Sequence, residues 1–300
     1  MPSKEIKLLK EAGKIDEAYE MAHREFVAEP ENIWAKRNLS WVLYAQMNAC
    51  DSDLTEFLSK LNEVQQLNLP SDELMFFDNL SIVIAKTARV LLKEVNIDYQ
   101  KIHKLFDAIK ELPLVKKSKW YSVLYSAMHK GMKESYRYIE FADWWDFENF
   151  TPEDYQKEKL PNGKEVMSIV EQAYITYAKN LLPKFNTTFD KEKAELFIQK
   201  LDILTEQHPE YQYPAYFQAK LLKALGDKDN MLEKLLQIKK KKRNDFWVWE
   251  ILTEAFLDDE DKVFACYCRA LSCHSPEEML VNIKQKMAGL LIKRKLYNEA

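Results

Sequence analysis

The amino-acid sequence predicts an all-α protein: a right-handed α-α superhelix of about six to seven helical hairpins. Three observations predict it. Amphipathic runs with apolar residues three and four apart recur along the chain. Prolines close amphipathic runs at Pro30, Pro70, Pro113, Pro209 and Pro276, and the chain is self-similar at a spacing of roughly 34 to 45 residues. Glycine is scarce, five in 300 residues, which argues against a sheet-and-turn protein and against a glycine-looped nucleotide enzyme.

The elements follow in order. Ser3 is the expected N-cap of a short helix to Ala12. Gly13 turns the chain into a second helix, Asp16 to Ala28, which Pro30 stops. The second hairpin opens at Asn32, runs through Trp34, Leu39 and Leu43, turns near Cys50-Asp51-Ser52 and returns through Phe57, Leu61 and Val64. In the third, Asn79-Leu80-Ser81 echoes Asn38-Leu39-Ser40, and the return helix carries Ile102, Leu105, Phe106 and Ile109. The fourth begins near Ser118, turns at Gly131 and returns through the aromatic stretch Tyr136 to Trp145.

The pattern then breaks. Residues 147–164 read as an irregular insertion, one short helix and an exposed loop. Thr151-Pro152 has the look of a cap and first-turn proline, and Pro161-Asn162-Gly163 is turn chemistry. Helices resume at Glu165 and continue as Lys191 to His208, Tyr213 to Leu225, Met231 to Lys240, Phe246 to Leu257 and Val263 to Ser272, then a last helix from Pro276 to Lys293. The whole reads as one array, 1–300, with sub-blocks 1–146 and 165–300 joined by the insertion. The last hairpin has no second helix, which suggests the front part of a longer protein.

Composition narrows the function. A net charge of −4 gives no global basic footprint for nucleic acid. The N-terminus has no apolar signal core, and no run is long and apolar enough for a membrane span. Cys50, Cys266, Cys268 and Cys273 form no spaced disulfide framework, which suits a reducing, cytoplasmic setting.

The hairpins resemble tetratricopeptide repeats. Leu39-Ser40-Leu43, Leu252-Thr253-Phe256 and Met287-Ala288-Leu291 fit the first-helix steps of that motif, with Ala265 twelve residues after Thr253 and Ala300 twelve after Ala288. The third and fourth hairpins are longer than the motif. A looser likeness, carried by the stretch from Trp144 to Leu182, is to bacterial proteins with an N-terminal tetratricopeptide array, some linked to phage-conflict systems. What the resemblance implies is a non-enzymatic scaffold whose first helices line a concave groove for a peptide or protein partner, with no cofactor. An asparagine at the sixth position of a first helix bonds an extended peptide in that family, and Asn38 and Asn79 fall there. Around them the groove candidates are Trp34, Arg37, Trp41 and Tyr44, then Asp78, Ile82 and Lys86. The Lys and Arg set of chaperone-tail binders is missing. The plainer reading is that both asparagines bond within the array.

Three other constellations carry chemistry. Lys239, Lys240, Lys241, Lys242 and Arg243, followed by Phe246, Trp247 and Trp249, could grip a single nucleic-acid strand; a solvated helix end has the same look. The cluster from Glu140 to Phe147, with Trp144 and Trp145, could line an enzyme pocket, or be core under a loop. Cys266, Cys268, Cys273 and His274 tempt a zinc reading, but residues two apart on a helix point to different faces. Nucleic acid is therefore not the favoured partner, no metal is expected, and no catalytic residue is assigned.

Overall fold

The structure, a computed structural model, describes residues 2–50, 53–93, 97–163, 165–183, 188–211 and 213–299. Short polar residues set most helix starts. Side-chain oxygens of Asn32, Asp53, Asp98 and Ser118 accept first-turn amides at 2.9, 2.9, 2.9 and 3.1 Å. Asp190, Asp227 and Asp259 do the same at 3.0, 3.1 and 3.1 Å. Each such cap is worth about 1 kcal/mol.

The helices are α1 (Pro2–Glu11), α2 (Ile15–Ala28), α3 (Ile33–Ala49), α4 (Leu54–Gln66), α5 (Leu74–Leu91), α6 (Tyr99–Ile109), α7 (Lys119–Met132) and α8 (Tyr138–Trp145). After the insertion come α9 (Ile169–Leu181), α10 (Lys191–Gln207), α11 (Tyr213–Leu225), α12 (Lys228–Lys242), α13 (Phe246–Ala255), α14 (Glu260–Leu271) and α15 (Glu277–Lys293). The chain divides into two compact units, Met1–Ala173 and Tyr174–Ala300.

In the first unit the helices form two layers. The first helices of successive hairpins lie parallel. Arg37 Nε donates to Glu73 Oε1 at 2.6 Å near the N-terminal ends of α3 and α5, and Lys86 Nζ donates to the Asn48 carbonyl at 2.9 Å near their C-terminal ends. Ser118 Oγ, the cap of α7, donates to Asp78 Oδ1 on α5 at 2.7 Å. Second helices bond to one another in the same way. Tyr19 OH of α2 donates to Glu63 of α4 at 2.8 Å, Gln65 Nε2 of α4 donates to the Ala108 carbonyl of α6 at 2.7 Å, and Arg137 and Lys110 tie α6 to α8 through Asp107 and Glu140. Between the layers lies a continuous core that includes Leu39, Leu43, Phe57, Leu61, Phe77, Leu80, Ile84, Leu105 and Phe106. Burial of large side chains at roughly 1.5–3 kcal/mol each outweighs the caps and clasps as a source of stability.

The second unit repeats the logic. Lys223 pairs with Glu254 at 2.7 Å, joining α11 to α13, and Lys286 pairs with Glu250 at 2.9 Å, joining α13 to α15. Lys234 of α12 pairs with Asp202 of α10. Each unit is thus all-α and built of stacked helical hairpins, the fold class read from the sequence.

Four details differ from expectation. Gly131 makes no turn: α7 runs through it, and it is buried against α6, where an added Cβ would lie 3.1 Å from Ile102 Cγ2 and 3.3 Å from Leu92 Cδ2. Its role is close approach. We expect Gly131→Ala to be near neutral, its helix-propensity gain of up to about 1 kcal/mol offset by crowding. Gly131→Val should cost about 1–3 kcal/mol, read from the urea midpoint. The insertion holds two 3-10 turns, Phe147–Asn149 and Pro152–Tyr155, and a small antiparallel hairpin of β1 (Glu158–Lys159) and β2 (Glu165–Val166). It is anchored because Asp154 Oδ2 accepts from Ser122 Oγ of α7 at 2.6 Å and from Thr151 N at 2.7 Å. Regular helix therefore resumes at Ile169, since Glu165 is in a strand. Finally, Ser3 lies inside α1, where its hydroxyl accepts from Asn38 Nδ2 at 3.0 Å. The turn expected at Cys50-Asp51-Ser52 includes Asp51 and Ser52, which lie outside the described residues.

Candidate functional site

On α3, positions 34, 37, 38, 41 and 44 follow a three-and-four spacing and share one face; on α5, positions 78, 79, 82 and 86 do the same. The opposite faces carry Leu39, Val42, Leu43, Leu80, Val83 and Ile84, all buried. Because α3 and α5 are parallel neighbours, the two candidate faces adjoin. Trp41 bridges them, its ring edge-on to Phe76 at 5.4 Å and to Tyr44 at 5.6 Å. Trp34 is 62% exposed, with the Arg37 guanidinium 4.8 Å above its ring. Burial raises the Tyr44 phenol above its ordinary pKa, so it is a neutral donor there.

Both asparagine amides already have partners. Asn38 Nδ2 donates to Ser3 Oγ at 3.0 Å and to Glu25 Oε2 at 2.9 Å, tying α3 to α1 and α2. Asn79 Nδ2 donates to the Met75 carbonyl one turn back, at 2.8 Å. Ile82 is half-buried beside them, and Lys86 reaches back to Asn48. Sequence reasoning did not find Glu73, Asn48 or Ser118, the partners that hold Arg37, Lys86 and Asp78 in place. They lie 36, 38 and 40 residues away in sequence, and no local pattern marks them.

The aromatic cluster is core. Trp145 is 0% exposed and stacks on Tyr121 with centroids 3.6 Å apart. The Trp144 indole N–H donates to the Lys110 carbonyl at 3.1 Å. Tyr138 OH lies 3.1 Å from Tyr125 OH and 3.0 Å from His129 Nδ1, and donates to the Ala173 carbonyl at 3.3 Å. Burial, with Lys133 and Lys130 nearby, lowers the His129 pKa to about 4, so the ring is neutral. Of the acidic members, Glu140 is engaged by Arg137 and Lys110, whose hydrogen bonds hold its pKa down near 2; Asp143 faces outward. Of the two readings of this cluster, the rings at Trp144 and Trp145 pack as core and fill the space an enzyme pocket would need.

The basic run ends α12. The side chains of Lys239 to Lys241 lie outside the described residues, Lys242 is half-buried, and Arg243 is exposed at the helix C-cap. The aromatics that follow are engaged in packing. Trp249 donates from Nε1 to the Arg243 carbonyl at 2.8 Å, Trp247 packs edge-on to Tyr216 at 5.4 Å, and Phe246 and Trp249 lie against the core of Tyr267, Leu280 and Ile283. Cys266 is buried while Cys268, two residues on, is exposed, and no disulfide joins the four cysteines. Among the described residues no three His, Cys, Asp or Glu side chains gather as a metal site, and no helix is long and apolar enough to cross a membrane.

The fold and this adjoining pair of faces define an all-α helical-hairpin protein with a mixed aromatic and polar surface on its first helices. Comparison adds a partial family match: residues 212–300, spanning α11 to α15, match a family described as a domain of unknown function, DUF7017. No curated protein matches the chain. Among solved structures it is similar to the crystal structure of a tetratricopeptide repeat protein from Parabacteroides merdae, at 10% identity over 97% of each chain, with a TM-score of 0.33.

Proposed function

We propose that this protein is a non-enzymatic interaction scaffold that holds a peptide or protein segment along the joined faces of α3 and α5. The observation that carries the reading is the α3–α5 register. Clasps near both ends hold the two helices parallel, so Trp34, Trp41 and Ile82 present half-exposed apolar surface beside hydrogen-bonding side chains. Asn38 Nδ2 donates twice and Asn79 Nδ2 once within the array, so each Oδ1 can accept from a peptide N–H and Asn79 keeps a second amide N–H to donate. A tetratricopeptide-like groove and a reducing, cytoplasmic setting belong to the same proposal. A place in a bacterial conflict system rests only on the likeness of the stretch from Trp144 to Leu182.

The test is capture of partners by the whole chain and by Trp41→Ala and Asn79→Ala variants. Asn79 bonds only its own helix through its amide, so its replacement should leave the fold intact by circular dichroism. Capture of the specific partner should fall about tenfold or more, the equivalent of 1.4 kcal/mol. Undiminished capture by both variants rejects this face.

A further inference from the structure

A second surface lies at the edge of the first unit, where the N-terminal ends of α3, α5 and α7 meet. The Arg37–Glu73 and Ser118–Asp78 hydrogen bonds bring those three ends together. The edge exposes apolar side chains one after another: Trp34 at 62%, Met75 at 69% and Trp120 at 37%. Isolated apolar residues on a surface are ordinary, but these three stand on helix ends that hydrogen bonds hold side by side. Beside Trp120 stand Lys116, Lys117 and Lys119, all exposed, and Lys119 Nζ lies 5.3 Å from the Trp120 ring centroid. None of the three lysines has an acidic partner within 4 Å among the described residues. Of the acids near the α3 and α5 ends, Glu73 is paired with Arg37 and Asp78 accepts from Ser118, while Glu31 and Asp72 are exposed. The three helix N-termini add positive potential on the same side.

We propose that this edge docks an acidic polypeptide segment that carries aromatic or aliphatic side chains. Charge complementarity selects the occupant. Uncommitted ammonium groups meet carboxylates, while the exposed Trp and Met surfaces take the partner's apolar side chains. This edge is made from helix ends and inter-hairpin loops; it shares Trp34 with the lateral α3–α5 faces but not Trp41, Asn79 or Ile82.

Selection of a random-peptide phage library on the whole chain tests it, with a synthetic peptide of the selected sequence as the probe. Selected peptides should be rich in Asp and Glu interspersed with aromatic or aliphatic residues. The synthetic peptide should bind more weakly as salt is raised, and about tenfold or more weakly to a Lys116→Glu, Lys117→Glu, Lys119→Glu variant. Trp120→Ala should weaken it as well. All four positions are exposed, so thermal unfolding should be unchanged. The proposal is overturned if no acidic peptides are enriched, or if they bind the triple variant as well as the native chain. It is also overturned if oligo-deoxythymidine or phosphatidylserine vesicles bind this edge and the peptides do not. Retained peptide binding by the Trp41→Ala and Asn79→Ala variants separates this edge from the lateral face.

Discussion

Replacing Trp145 with alanine should cost the first unit about 3–5 kcal/mol, the range for deleting a buried large aromatic side chain. The ring has no exposed surface. It lies face to face with Tyr121 at 3.6 Å, 4.7 Å from the Tyr125 centroid and 6.2 Å from Phe150. Alanine would leave a void between α7, α8 and the insertion that those rings cannot close without moving their helices. The indole N–H has no acceptor among the described residues, so it offsets none of its own desolvation. Trp145→Phe should therefore cost well under half as much, because it removes the orphaned donor along with part of the ring. Trp34→Ala, on an exposed ring, should stay within about 0.5 kcal/mol. Denaturant unfolding of the whole chain, with amide exchange to locate the loss on α7 and α8, distinguishes these outcomes. A Trp145→Ala protein as stable as the parent would show that the aromatic cluster is not the core of this unit.

Mild acid should weaken the same region before Asp107 and Glu140 are protonated. The folded pKa of His129 is about 4, against an ordinary value of 6.5. Between those values the unfolded chain binds more protons than the folded one. The stabilisation is fully present above about pH 6.5 and is lost as pH falls toward about 4, by about 3 kcal/mol in all. Burial also lowers the pKa of His103, whose Nε2 lies 2.7 Å from Ser135 Oγ, so it acts in the same direction. Asp107 and Glu140 are held near 2 by Arg137 and Lys110, and their contribution is lost only in a lower window, from about 4 to about 2. Stability against pH should thus fall in two steps. A His129→Phe variant should shrink the upper step to the part His103 contributes and leave the lower one. Tyr138 keeps Tyr125 and the Ala173 carbonyl as partners in that variant, so it should still fold. An upper step undiminished by the substitution would assign it to another group.

The helices themselves were legible in the sequence because their cause is local. Three-and-four spacing marked α3, α5 and α10, and prolines marked where helices stop. The aspartates before α4, α6, α10, α12 and α14 were a further readable signal, since a side-chain acceptor at that position satisfies amides within three residues. Gly131 misled because glycine signals a turn and a close packing contact with the same letter. Only the position of Ile102 and Leu92 decides between them. The insertion misled for a related reason: its two-residue strands carry too few positions to show alternation.

Of the candidate site, the sequence alone determined which residues share a helix face: Trp34, Arg37, Asn38, Trp41 and Tyr44 on one, Asp78, Asn79, Ile82 and Lys86 on the next. That follows from 3.6 residues per turn and needs no neighbour. Only the tertiary structure decided which polar groups are already used and which rings are sealed. Asn38 reaches Ser3 and Glu25, Lys86 reaches Asn48, and Trp145 is enclosed while Trp34 stays open. Those outcomes depend on partners that packing brings together from tens of residues away, and helical periodicity carries no information at that distance.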